Sequence, residues 1–91
     1  LQERIKAGKQ TMKARVTVTL KNGVLDPQGK AIVSALDNLA FNNVQSVRQG
    51  KIFDIVLNKS DIETVRKQLE AMCEKLLVNT IVENYHIELL S

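Results

Sequence analysis

Gly23-Val24-Leu25-Asp26-Pro27-Gln28-Gly29-Lys30 is the stretch on which the fold turns. It separates an alternating run, Met12 to Leu20, from a helically periodic run, Ala31 to Leu39. Gly23 allows a turn, Asp26 can cap a helix, and Pro27 suits the first helical position, where its missing N–H costs nothing. Gln28 and Gly29 then fall in the opening turn. The stretch is a strand-to-helix junction.

On its N-terminal side, Ala14, Val16, Val18 and Leu20 face one way and Lys13, Arg15, Thr17 and Thr19 the other, which predicts a half-buried strand. On its C-terminal side, Ile32, Ala35, Leu36 and Leu39 share one face of a helix running from about Pro27 to about Ala40. Asn42-Asn43 marks a turn. Val44 to Leu57 is a second β region, in which Gly50 marks either a bulge in one long bent strand or a tight turn between two short ones. Phe53, Ile55 and Leu57 form one face of it. Ile52 and Val56 put apolar groups on the other, a pattern that asks for cover from a second subunit. Ser60-Asp61-Ile62-Glu63 reads as a capping box with Ser60 as the cap. Ile62, Val65, Leu69, Met72, Cys73, Leu76 and Leu77 follow as the stripe of a second helix ending near Val78-Asn79. Asn84 precedes a last strand, Tyr85 to Leu90. The fold class is α+β: two helices on a small, largely antiparallel sheet in the order β-α-β-α-β, oligomerising through the sheet. If the middle region is a hairpin, the order becomes ferredoxin-like βαββαβ.

Ninety-one residues suit one small domain, and 44% hydrophobic with 25% charged residues is a folded composition. Residues 1–11 are polar and lack a strand or strong helix pattern. They read as a flexible extension or an added remnant, leaving a single domain over 12–91. They also hold Arg4, Lys6 and Lys9 against Glu3, so two of the chain's three net positive charges lie there. The folded part is close to neutral, and no nucleic-acid partner is expected. No apolar run is long enough to cross a bilayer, so no membrane partner is expected either. Cys73 is the single cysteine and cannot form an internal disulfide, which fits a reducing cytoplasm.

Few residues suggest chemistry. His86 lacks an assignable nucleophile and reads as a surface strand residue. Cys73 lies on an apolar stripe and reads as a small buried hydrophobe. The glycines match neither a P-loop nor a dinucleotide fingerprint. Phe41, Phe53 and Tyr85 are too few, and too clearly core-facing at 53 and 85, for an RNA-stacking platform. No catalytic, cofactor-binding or metal-binding residue is therefore expected. Arg48-Gln49-Gly50-Lys51 is a polar interruption of a β region, either a solvated bend or a contact loop.

The junction, together with the strand Lys13 to Leu20, resembles the PurS family, the small subunit of bacterial and archaeal phosphoribosylformylglycinamidine synthase. Val47-Arg48 with Gly50-Lys51, the Met72 to Leu77 run with Asn79, and Ile81-Val82-Glu83-Asn84-Tyr85 with Ile87-Glu88 extend the likeness over about residues 12–90. Thr80 stands where the family often has proline. The resemblance implies a non-catalytic assembly subunit in the fourth step of purine biosynthesis. It would bridge a glutaminase subunit, PurQ, and a synthetase subunit, PurL, and support ammonia transfer between them. ATP, magnesium and glutamine would be used by those partners, with no cofactor in this chain, and self-association as a dimer or tetramer would be expected. Asp26, Gln28, Arg48 and Lys51, polar groups at loops and element ends, are the candidate partner contacts, Asp26 having a rival role as helix cap. A ligand-sensing ACT-like domain is the alternative of another class, and a minimal RNA-binding module a third.

Overall fold

A computed structural model describes residues 10–90. Its elements run β1 (Thr11–Leu20), α1 (Pro27–Asn38), β2 (Gly50–Asn58), α2 (Ile62–Met72), a π-helical turn (Cys73–Leu77) and β3 (Glu83–Leu89). The strand order is β2-β1-β3, with β1 central and antiparallel to both neighbours. Of the expected N-terminal extension, residues 1–9 lie outside the described residues. Thr11 belongs to the sheet, pairing with Asn58, and the carbonyl of Gln10 just before it accepts from the Lys59 amide at 3.0 Å.

The alternation of β1 sets the core. Val16 lies opposite Phe53 on one side and Ile87 on the other, and Ala14 opposite Ile55 and Leu89. One helix covers this face. Val65 and Leu69 of α2 pack with Met12 and Ala14, while Cys73 and Val78 pack with Val16 and Val18. Each large side chain buried this way contributes about 1.5–3 kcal/mol.

Three local expectations change. The cap of α2 is Asp61, whose Oδ2 accepts from the Thr64 amide at 3.2 Å, rather than Ser60. The carboxylate reaches the third helical amide, and Glu63 adds negative charge to the first turn, where the helix dipole favours it. The C-terminal end of the stripe is rephased by the π turn, closed by Val78 N–H donating to the Cys73 carbonyl at 3.0 Å. That i→i+5 closure adds a residue to the turn, so Cys73 and Leu77 meet the sheet while Leu76 is left 83% exposed. The middle β region is neither a bent strand nor a hairpin. Residues 44–49 are irregular and β2 begins at Gly50, where a Cβ would come within 2.5 Å of the Val18 carbonyl oxygen. Gly50 is there for a close approach of two strands.

The first helix supplies almost nothing to this core. Gly29 is its one buried residue, and Leu39 just beyond its end is 67% exposed. Over the described residues the radius of gyration is 17.5 Å, against about 12 Å for a compact chain of this length. The helix ends in a Schellman arrangement: Phe41 N–H donates to the Leu36 carbonyl at 2.9 Å and Ala40 N–H to that of Asp37 at 3.0 Å. Ala40 takes the left-handed position with φ 73°.

Two stability measurements check this packing. Leu69→Ala leaves a cavity between α2 and the sheet and lowers the unfolding free energy by about 2–5 kcal/mol in urea titration. Ala40→Gly relieves the left-handed alanine and raises it by roughly 0.5–1 kcal/mol.

Candidate partner-contact site

Between Leu20 and Gly50 the chain leaves the sheet, forms α1 and returns. The two ends of this excursion are held together by side chains the sequence places at the junction and at the β2 entry. Asp26 is only 8% exposed. Its Oδ1 accepts from the Gly29 amide and its Oδ2 from the Gln49 amide, each at 2.9 Å. One carboxylate thus caps α1 and ties the helix start to the residue before β2. These donors, Gln49 first and Gly29 next, hold the Asp26 carboxyl below its ordinary 3.8, with the Arg48 charge assisting.

Arg48 completes the closure from the other strand end. Its Nη2 donates to the carbonyls of Leu20 at 3.2 Å and Lys21 at 3.0 Å, and its Nη1 to that of Val24 at 3.3 Å. A planar fork suits such convergent carbonyls better than a single ammonium. Gly29 permits the approach: a Cβ there would overlap the Val47 carbonyl oxygen.

Of the four candidate contacts, Asp26 and Arg48 therefore direct their polar atoms at the chain's own backbone. Gln28 is exposed and lies with Lys51 along an open hollow of about 400 Å³, bordered by Pro27, Gly50 and Glu83. The Lys51 Nζ lies 3.7 Å from Glu83 Oε2 and 5.8 Å from the centre of the Phe53 ring. A second hollow of about 540 Å³ opens on the other side of Asp26, between Leu25, Lys30, Val33 and Val47. Asp26 is common to both and Arg48 lines only the second.

Other groups fall away from this region. His86 is exposed on the outer sheet face, opposite Thr17. Cys73 is fully buried, and burial, with Glu74 and Glu70 nearby, pushes its thiol up. Among the described residues, no three His, Cys, Asp or Glu side chains are grouped to hold a metal ion. One polar pair had no sequence signal. The Tyr85 hydroxyl donates to Glu74 Oε2 at 2.8 Å, which pushes the phenol up to about 12. The partners lie on β3 and the π turn, so no local spacing relates them. The outer sheet face holds the Arg15–Asp54 ion pair at 2.8 Å beside Ile52, 58% exposed, and Val56.

Asp26 gives the fold an acid limb. Its pKa is lower folded than unfolded, so its contribution is fully present above the ordinary carboxylate range and is lost as pH falls through the depressed value. Between pH 5 and pH 2 the wild-type thermal midpoint falls, and Asp26→Asn starts lower at pH 5 and falls less steeply. Equal slopes for the two proteins in calorimetry at matched ionic strength would remove Asp26 from this role.

Comparison with known proteins is consistent with this geometry. A family model described as PurS, phosphoribosylformylglycinamidine (FGAM) synthase, matches residues 13–91. The PurS subunit of phosphoribosylformylglycinamidine synthase from Bacillus subtilis is 46% identical over 76 residues, covering 84% of this chain and 89% of that one. The crystal structure of Methanocaldococcus jannaschii PurS superposes with a TM-score of 0.76 at 42% identity, covering 86% of this chain and 94% of that one. A chain in the structure of PurLQS from Thermotoga maritima superposes with a TM-score of 0.80 at 28% identity, covering 89% of this chain and 99% of that one. With a matching model over nearly its whole length and relatives of this identity, the chain belongs to the PurS family of FGAM synthase subunits.

Proposed function

We propose that this chain is the non-catalytic assembly subunit of a glutamine-dependent phosphoribosylformylglycinamidine synthase, bridging its glutaminase and synthetase subunits in de novo purine biosynthesis. The observation that carries this reading is the likeness, over 89% of the chain, to the subunit found in the PurLQS structure. The geometry fits an assembly role: the polar side chains of the junction hold the chain together, while apolar side chains stand outside the core on α1 and on the outer sheet face. Such surfaces suit burial against other subunits, including further copies of this chain as a dimer or tetramer through the sheet. ATP, magnesium and glutamine belong to the partner subunits in this reading, and the cytoplasm is the compartment. No helix among the described residues is long and apolar enough to cross a membrane. Gln28, Arg48 and Lys51 are the partner contacts that are exposed, while buried Asp26, and Arg48 through its guanidinium, also support the chain's own backbone. The ligand-sensing alternative is not favoured by these relatives.

Reconstitution tests the proposal. Added to cognate PurL and PurQ, the chain raises glutamine-dependent FGAM formation, because joining two subunits raises the effective concentration of one at the other. Ammonia-dependent formation by PurL changes little. Unchanged glutamine-dependent activity would sink the bridging role. Lys51→Glu raises several-fold the concentration of this chain needed for half-maximal activity, because a reversed charge at an interface rim weakens association; an unchanged titration would remove Lys51 from the contact.

A further inference from the structure

We infer that Tyr85, through its bond to Glu74, fixes the π register in which the second helix ends, and that this register decides which of two neighbouring leucines enters the core. Tyr85 is then a positioning residue for the surface that displays Leu76. The inference does not depend on the identity of any partner.

The two leucines have exchanged the places that helical periodicity assigns them. At about 100° per residue, an unbroken α-helix puts Leu76 within about 20° of Leu69 and Leu77 about 80° away from it. Leu69 is fully buried, so the α register directs Leu76 at the sheet. The structure has the reverse. Leu77 packs against the cluster of Val16, Val18, Cys73 and Val78, while Leu76 is exposed. Leu76 instead borders Ile55, Met72 and Lys75, on the β2 side of the helix. The wide turn is the cause: the Val78 N–H donates to the Cys73 carbonyl, five residues back, at 3.0 Å. Such turns are rare inside helices, and this one has an identifiable support.

Apolar burial does not choose between the registers. Either one buries a leucine and exposes a leucine, so the transfer free energy is nearly the same. A polar contact that exists in one register decides instead. The Tyr85 hydroxyl donates to Glu74 Oε2 at 2.8 Å, reaching from β3 to the second residue of the turn. A carboxylate acceptor makes this a stronger bond than one between neutral groups. The rotation that brings Leu77 inward and carries Leu76 toward β2 also swings Glu74 toward β3, where the hydroxyl meets it. One bond is thus coupled to the placing of both leucines. Leu76 and Ile81 are the most exposed large apolar side chains among the described residues, so the register sets the apolar surface shown at this end of the subunit.

Methyl NMR on the full chain, with labelled leucine and valine, tests this. In the wild type the Leu77 methyl groups show contacts to those of Val16, Val18 or Val78, and the Leu76 methyl groups show none. These valines are buried inside the chain, so the readout is independent of assembly. Tyr85→Phe keeps the ring and removes the donor. In it Leu76 gains contacts to the valines and Leu77 loses them, while amide exchange across β1 stays within about twofold of wild type. Glu74→Ala gives the same exchange of leucines. Glu74→Gln, which keeps an acceptor oxygen for the hydroxyl, retains the wild-type pattern. The inference is overturned if Leu76 already contacts the valines in the wild type, or if Tyr85→Phe leaves the pattern unchanged. Loss of both leucines from the valine cluster also overturns it, because the bond would then hold the helix end without choosing its register.

Discussion

The structure hangs on a single carboxylate with two backbone donors. Asp26 takes the Gly29 amide on one oxygen and the Gln49 amide on the other, 23 residues away. The first bond starts a helix; the second brings the return of the chain to where β2 must begin. Around it the backbone is tightly committed. Gly29 has room for no side chain because the Val47 carbonyl lies against it, and the Arg48 guanidinium gathers three carbonyls on the far side. Residues 47–49 are spent on these contacts, which is why the β ladder opens at Gly50 rather than at Val44.

The hydrophobic core is correspondingly concentrated. One strand, β1, contributes Met12, Ala14, Val16 and Val18, and a single amphipathic helix with its π turn covers them. A domain this small buries a limited fraction of its surface in any case. Here a whole helix stands beside the core instead of on it. That is an uneconomical plan for a solitary protein and a sensible one for a subunit whose remaining apolar surface is buried by assembly. Membership of the PurS family and likeness to a chain of the PurLQS structure from Thermotoga maritima are consistent with such a subunit.

Much of this was legible in the residues. The alternation of Ala14, Val16 and Val18 gave β1 its inward face, and Asp26-Pro27 announced the start of α1 in the cap and first-turn positions where the structure has them. The stripe through Val65, Leu69 and Cys73 named the covering helix. The candidate contacts were legible only as polar groups at element ends. Nothing in the spacing shows that Asp26 reaches Gln49, that Arg48 reaches back to Leu20, or that Tyr85 meets Glu74, because those partners are brought together by the path of the chain. The same holds for Ser60 and Asp61: both can cap a helix, and the backbone geometry at 61 decides between them.

By itself, then, the sequence determined the elements, their order and the inward face of each strand, and its junction carried the resemblance to the family. These follow from periodicity, caps and a specific junction, all properties of neighbours along the chain. Only the tertiary structure decided that α1 stands off the sheet, that 44–49 is irregular, that Leu76 turns outward, and that two of the four polar candidates serve the chain's own backbone. Each of those depends on which groups meet across long separations, where a carboxylate or a guanidinium finds backbone partners that no local pattern encodes.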